Sequence, residues 1–537
     1  MRERAISILL LLPIIILFLN SCGLRYSEEN EMNDTFEAAN QLFPGKVLKG
    51  SISSGNDVDY YNLKLKNPDR YHERIMADIR LKNQDGINYE LRVFNKKRLL
   101  KQVIKKSSEI ALVNMMFNTE DLRKGKIFLV VSSVGKAISR VPSRYSLNVN
   151  IRSMNKEEEG EPDDAAVFAI PLVKEEKESV IRGYFNPDSN PMNKDGIEED
   201  WYKYKVTYAD IQSKDKSIKV NLNLTAVPDV DSEIAIFDDL GYLIRTGDSF
   251  GVGENERLLN ILLKEGTYYV RVRSEQPGQE NVNIPYVLKI KNVENNNTES
   301  EPNDNYPMAN LINFSEEKKG YFNPIGDVDW FRVNVYDVNP QILTVKAEPT
   351  AYIDYRIGLY SAANELIVSV DDRGEDEGEI IKNIGVGPGV YYIKLENKNQ
   401  KKDVPQNQYS LTVYKNEWNN EEEYELNNDF NSANSFYLGT LKKGYITPVG
   451  DVDFYRFQLE VEKTVRFEIS PSVLLDLYIE VYDLEGNLLN KIDSKGEGMG
   501  EEGDINLDSG IYFVKVGSNN KNENSRDFYI LRIYPKE

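Results

Sequence analysis

The sequence holds one cysteine and one histidine in 537 residues, and each scarcity removes a class of chemistry. A single thiol forms no intrachain disulfide and builds no iron–sulfur cluster or cysteine-rich zinc site. A single imidazole, His72, excludes any centre that needs two. Positive charge is also short: 66 Lys and Arg stand against 87 Asp and Glu, a formal net charge of −21. A surface this acidic repels phosphates, so nucleic acid is not an expected partner. Long apolar runs are confined to residues 5–19. What the chain does have is length, enough for three or four domains at roughly 100–200 residues each.

Met1-Arg2-Glu3-Arg4 is a short basic start, and the apolar run after it is broken only by Ser7 and Pro13. Its length suits the core of a signal peptide, whereas a membrane span needs about 20 residues. Leu19-Asn20-Ser21-Cys22-Gly23 follows. This resembles a lipobox, the processing site of bacterial lipoproteins, in the relaxed form typical of spirochaetes. The resemblance implies a signal peptide over 1–21, lipidation at Cys22 and membrane attachment through the lipid anchor alone. Gly23 is not the Asp that marks inner-membrane retention in some enteric bacteria. An outer-membrane or cell-surface location is therefore expected.

Four segments open with an acidic box: Glu29-Asn-Glu31-Met-Asn33-Asp34, Glu159-Gly-Glu161-Pro-Asp163-Asp164, Glu299-Ser-Glu301-Pro-Asn303-Asp304 and Glu423-Tyr-Glu425-Leu-Asn427-Asn428. A basic residue and glycine come next in each (Lys49-Gly50, Arg182-Gly183, Lys319-Gly320, Lys443-Gly444) and read as a turn. A second acidic box then precedes an aromatic residue: Asp57-Val-Asp59-Tyr60, Glu198-Glu-Asp200-Trp201, Asp327-Val-Asp329-Trp330 and Asp451-Val-Asp453-Phe454. The second Glu and the first Asp lie 26 residues apart in repeats one, three and four; repeat two has 37, the excess lying in 186–196. Internal periodicity of this kind decides architecture before any single motif does.

Period-2 alternation predicts strands at 87–94, 230–237, 353–360 and 475–482. A Gly-aromatic strand begins near Gly125, Gly266, Gly389 and Gly510, and a closing Tyr-x-Leu strand at Tyr145, Tyr286, Tyr409 and Tyr529. Short alternating strands between Gly/Asn/Asp turns, with no sustained helical period, predict an all-β chain of four tandem β-sandwich domains, at 28–152, 157–291, 298–415 and 421–537. The short polar linkers at 292–298 and 415–420 predict a semi-flexible string. The 33 tyrosines are read as half-exposed strand residues.

Taken in order, Glu-x-Glu-Pro-Asn-Asp, Gly-Asp-Val-Asp-Trp-Phe, Gly-x-Tyr-Tyr and Tyr-x-Leu are similar to the bacterial pre-peptidase C-terminal domain. That family includes the collagen-binding domains of clostridial collagenases. The resemblance covers 28–537, is most specific in repeat three, and implies a jelly-roll-like sandwich that is often calcium-bound. A hard divalent cation takes six to eight oxygens from carboxylates and amides on irregular backbone, and the fixed spacing suggests that the two boxes meet. Carried over, the resemblance nominates Glu29, Glu31, Asn33, Asp34, Asp57 and Asp59 in repeat one, and Glu159, Glu161, Asp163, Asp164 and Asp200 in repeat two. It nominates Glu299, Glu301, Asn303, Asp304, Asp327 and Asp329 in repeat three, and Glu423, Glu425, Asn427, Asn428, Asp451 and Asp453 in repeat four.

Enzymatic chemistry is not expected. Gly247-Asp248-Ser249-Phe250-Gly251 matches a hydrolase elbow, but no histidine follows it. It aligns with the glycine-rich hairpin loops of repeats three and four. Seven basic residues between Arg92 and Lys106 (also Lys96, Lys97, Arg98, Lys101 and Lys105), with no acid among them, read as a solvated hairpin or a patch for anionic lipid. The expected function is a membrane-anchored, non-catalytic, calcium-stabilised binding or adhesion module for extracellular matrix protein or glycan. A periplasmic spacer and an accessory subunit of a secreted hydrolase are the alternative classes.

Overall fold

The computed structural model describes residues 26–67, 73–83, 87–105, 109–134, 142–187, 197–211, 216–294, 297–399, 407–470, 475–525 and 527–536. The signal peptide and Cys22, His72, Lys106 and most of the repeat-two insertion lie outside these residues. Among the described residues no helix is long and apolar enough to cross a membrane.

The alternating segments are strands. In repeat three Tyr355, Ile357 and Leu359 are buried while Arg356 is exposed. The strand begins at Tyr355 rather than 353, because Ile353 closes a bend in which its N–H donates to Thr350 O. One sheet of repeat three runs Asn310–Leu311, Val328–Val335, Gly389–Asn397, Tyr355–Tyr360, Leu366–Val370. The other runs Lys318–Gly320, Tyr409–Glu417, Gln341–Ala347, Ile380–Val386. The chain changes sheet after every strand except within the Tyr355–Tyr360/Leu366–Val370 hairpin, so the layers are interleaved in jelly-roll fashion. Repeat four has the same order, and repeat two adds the short edge strand Lys174–Glu175. The protein is thus all-β, built of tandem β-sandwiches, each with its own hydrophobic core of inward-facing Tyr, Ile, Val and Leu.

The chain divides into two compact units. The first holds the sandwich of repeat one, the segment Gly160–Pro162 and the described part of 186–196; the second holds the sandwiches of repeats two, three and four. Within the second unit the acidic boxes that follow the predicted linkers are docked on the preceding sandwich. Glu301 exchanges backbone hydrogen bonds with the neighbouring sandwich, donating to Asn260 O (2.9 Å) and accepting from Leu262 N (2.9 Å). Glu425 does the same with Asn383 O (3.0 Å) and Gly385 N (2.8 Å). Asn260 and Asn383 occupy β-bulges with left-handed backbone (φ 57° and 54°), and the amide two residues on, of Leu262 or Gly385, reaches the box. Repeats two to four therefore form packed junctions, not the semi-flexible string that linker composition suggests.

The Lys/Arg-Gly pairs are not turns either. Gly50, Gly183, Gly320 and Gly444 are buried strand residues. Their role is to leave space for other groups.

Candidate metal centres

In repeat three the first box lies along the edge of one sheet, Glu299 N donating to Lys319 O (2.7 Å), and the second box opens the strand Val328–Val335 of the other sheet. A backbone hydrogen bond joins them, from Trp330 N to Asn303 O (3.0 Å). The same bond recurs as Tyr60 to Asn33 (3.0 Å), Trp201 to Asp163 (3.2 Å) and Phe454 to Asn427 (2.8 Å). Both boxes therefore meet at one end of each sandwich, where the two sheet edges converge.

The first Glu is held by the sandwich itself. Glu299 accepts from Tyr321 N (2.6 Å) and from the Tyr409 hydroxyl (2.5 Å). Glu159 accepts from Tyr184 N, Tyr202 OH (2.8 Å) and Tyr286 OH (2.9 Å). Glu423 accepts from Tyr445 N (2.7 Å) and Tyr455 OH (3.3 Å), and Glu29 from Ser51 N and Tyr61 OH (2.7 Å). The closing tyrosines cross to the second box as well: Tyr145 donates to Asp59 (2.6 Å) and Tyr529 to Asp453 (2.5 Å), while the single hydroxyl proton of Tyr286 lies between Glu159 and Asp200 (2.5 Å to the latter). These tyrosines are fully buried in their sandwiches, not half-exposed. They sit at an inward-facing position of the last strand, opening it in repeats three and four, so the hydroxyl meets the acidic end while the ring packs on the core. A Cβ on Gly320 would overlap the Glu299 carboxylate and the Tyr409 hydroxyl, which explains a strand glycine at this station.

Three sets of carboxylates come within 4.8 Å of one another around the two boxes of repeats one and three: Glu31/Asp57/Asp59, Glu299/Glu301/Asp329 and Glu301/Asp304/Asp327. A fourth, Glu159/Asp163/Asp200, lies in repeat two. Each could hold a metal ion, and in repeat three Glu301 is common to an inner and an outer set. Burial pushes Asp59 up to about 8. It also pushes Asp327 and Asp451 up to about 7. Glu425 is pushed up to about 11, burial acting first and the Asp451 and Asp453 charges adding to it. Glu301, Asp329, Glu423 and Asp453 move the same way for the same first cause. Several polar atoms here have no hydrogen-bond partner: both amide atoms of Asn33 and of Asn303, Asp59 Oδ1, Glu425 Oε1 and Asp451 Oδ1. The Asn427 amide, turned nitrogen-inward, reaches Glu425 Oε2 (3.0 Å) and Asp453 Oδ1 (3.1 Å). Buried ionised oxygens of this kind are costly unless a cation or a proton joins them.

Asp34, Asp304 and Asn428 are exposed at the rim, as is Glu31, while Asp57 is buried and Asp164 half-buried. Of the rim residues, Asp304 is engaged by a residue that sequence reasoning missed. Arg245, on the strand Leu243–Gly247 of repeat two, is 6 % exposed. Its guanidinium contacts Asp304 Oδ1, Asp327 Oδ1 and Glu301 Oε1 (3.4 Å for the last) and donates to Asn323 O (2.8 Å). In the first unit Lys101 occupies the same station of its hairpin, and its ammonium is 3.5 Å from Glu161 Oε1, both side chains fully buried. Lys101 is thus neither solvated nor free for lipid, and Arg92 and Lys97 lie 3.4 and 3.9 Å from Glu90 and Glu37. The available signal was parity: Lys101 faces the same side as the buried Val103.

A second missed element is a buried glutamate that braces the glycine-rich loop. Glu256 accepts from Ser249 N (3.0 Å) and Phe250 N (2.8 Å), Glu379 from Asp372 N (2.9 Å) and Arg373 N, and Glu501 from Ser494 N (3.0 Å) and Lys495 N (2.5 Å). Ser249 itself is 1 % exposed, and its Oγ accepts from Ile325 N (3.0 Å) of repeat three. Replacing Ser249 by Ala is expected to cost about 1 kcal/mol, the usual net value of one lost hydrogen bond. Hydrogen exchange of the turn at 323–327 in the full chain reads this; unchanged protection contradicts the assigned bond.

No family model and no curated protein matches the chain. Among solved structures, the pre-peptidase C-terminal domain of collagenase from Bacillus anthracis is 19% identical, covering 19% of this chain and 93% of that one, with a TM-score of 0.17. The cowpea mosaic virus top component matches at 9% identity, 52% and 94% coverage and a TM-score of 0.17. A fucolectin from striped bass serum matches at 13%, 41% and 84%, with 0.13. Scores this low bear on nothing that the chain binds.

Proposed function

We propose that this chain is an exported, lipid-anchored, non-catalytic display protein whose sandwiches, of the pre-peptidase C-terminal type, are stabilised by calcium and present a binding or adhesive surface to extracellular protein or glycan. The observation that carries the calcium part is the convergence of two acidic boxes at the end of each sandwich, with buried oxygens lacking partners. Carboxylate and amide oxygens without thiolate or imidazole are the donor set of a hard cation. Glu301 and Glu425, with Asn303, Asp329, Asp451 and Asp453, would supply it; Asp327 is held by Arg245, and the first glutamates serve chiefly as tyrosine-braced supports. The non-catalytic part is supported by the burial of Ser249 and its use as an acceptor at a junction. The adhesive part is supported by the lipobox and by the repetition of one module.

Extracellular calcium modules bind at about 10⁻⁴–10⁻³ M. At about 1 mM calcium, mass action then adds roughly 0.4–1.4 kcal/mol per occupied site. Thermal melts of the full mature chain in calcium and in chelator should differ by a few degrees, with protease accessibility on intact cells reporting surface display. Identical melts together with no calcium heat in titration calorimetry would sink the calcium reading.

A further inference from the structure

The hairpins that pack on the next repeat can be superposed by register. Arg245 pairs with Ile236, the residue before the bulge, and Val368 pairs with Leu359 at the same station. Four residues later come Ser249 and Asp372. Ser249 Oγ accepts from Ile325 N (3.0 Å), and Asp372 Oδ2 accepts from the corresponding Val449 N (3.0 Å) and from Asn524 Nδ2 (2.8 Å). The second-to-third junction therefore contributes a guanidinium and a neutral hydroxyl. Its third-to-fourth counterpart contributes an aliphatic group and a carboxylate.

The acceptors on the far side are the same atoms in both places. Glu301 Oε1 and Asp327 Oδ1 contact Arg245. Their equivalents, Glu425 Oε1 and Asp451 Oδ1, meet no guanidinium or ammonium, in residues only 3 % and 7 % exposed, and the two carboxyl groups lie within reach of each other. The orientation of the glutamates is matched, since Oε2 of each accepts from the Asn two residues on (2.9 and 3.1 Å). Asp372 reaches the turn that carries Asp451, through Val449 N two residues before it. Lys382 and Lys442 act on Glu423, further inside, and no Lys or Arg among the described residues pairs with Glu425 or Asp451.

We propose that the third-to-fourth junction binds one divalent cation, of the calcium class, between Glu425 and Asp451 of repeat four and Asp372 of repeat three, at the place where Arg245 serves as a built-in cation one junction earlier. The proposal rests on the calcium reading above and adds to it that the repeats are unequal. A monovalent guanidinium cannot share its place with a metal, so the outer set of repeat three takes none, and the ion at the next junction bridges two sandwiches.

The test uses the full mature chain with calcium as the probe. Bound calcium per chain is counted by equilibrium dialysis, and hydrogen exchange locates protection. In the wild type, calcium should protect the loop around Asp372 and the turn at 447–451. Val368→Arg should lower the count by one and abolish that protection. Arg245→Val/Ser249→Asp, which transplants the later junction onto the earlier, should raise the count by one. Asp372→Asn, which keeps its hydrogen bonds to Val449, should weaken the same site by about tenfold through loss of one ligand charge, and it decides the matter if Val368→Arg does not fold. Calcium binding that leaves the Asp372 loop unprotected, with a count unmoved by these variants, overturns the proposal and leaves the calcium reading standing. No binding at about 10 mM calcium, beyond the range of extracellular modules, removes both.

Discussion

Arg245→Met is expected to destabilise the packed second-to-third junction by about 3–5 kcal/mol in chelator, the range for removing one partner of a buried ion pair. Three carboxylates converge on this guanidinium, and two of them, Glu301 and Asp327, are almost fully buried. Methionine fills much of the same volume, so what is lost is charge rather than packing. Part of the cost returns if the carboxylates take up protons. The measurement is hydrogen exchange of 297–335 in the full chain, since a single unfolding midpoint has no clear meaning in a multi-sandwich protein. Protection unchanged in chelator would show that the guanidinium does not hold the junction.

Gly320→Ala should be comparably severe, for a steric reason. The new methyl would overlap both the Glu299 carboxylate and the Tyr409 ring and hydroxyl. Neither can retreat without breaking the Tyr409–Glu299 hydrogen bond (2.5 Å) or displacing Glu299 from Tyr321 N. Overpacking of a well-filled site costs typically about 1–3 kcal/mol, and a lost buried acceptor adds about 1–3 kcal/mol. Gly374→Ala is the control, because a Cβ there meets nothing within 4 Å. Loss of protection on the strand Tyr409–Glu417 in the first variant and not the second is the expected pattern; equal protection in both would contradict the close packing of Gly320.

The sandwich could be read from the sequence because period-2 burial and a fixed spacing are local signals. The meeting of the boxes was legible for the same reason: their fixed spacing places them together, and the bond from Trp330 N to Asn303 O joins them. Arg245 and Lys101 were illegible as cations because their partners belong to the next box along, and bulges shift the hairpin pairing by one residue. The role of Tyr409 was hidden differently. Tyrosine is common in strands, and nothing in its spacing says that a hydroxyl rather than a ring face does the work. Asn260 and Asn383 were equally silent, since a left-handed bulge has no sequence signature stronger than asparagine itself.

The bulged edge that receives each box has a bearing on how such a chain can be rearranged. Within the second unit the boxes of repeats three and four are each seated on the bulged edge of the sandwich before, and the two joints are not identical. Exchanging repeats three and four would set the Asn490 station of the latter, opposite Val481, against the box that now receives Arg245. Shuffling by recombination therefore alters the ionic requirements of the joints even when every module still folds. Duplicating repeat two in place preserves the match at one new joint only if the copy keeps both Arg245 and its own acidic box, so the number of modules can grow more readily than their order can change.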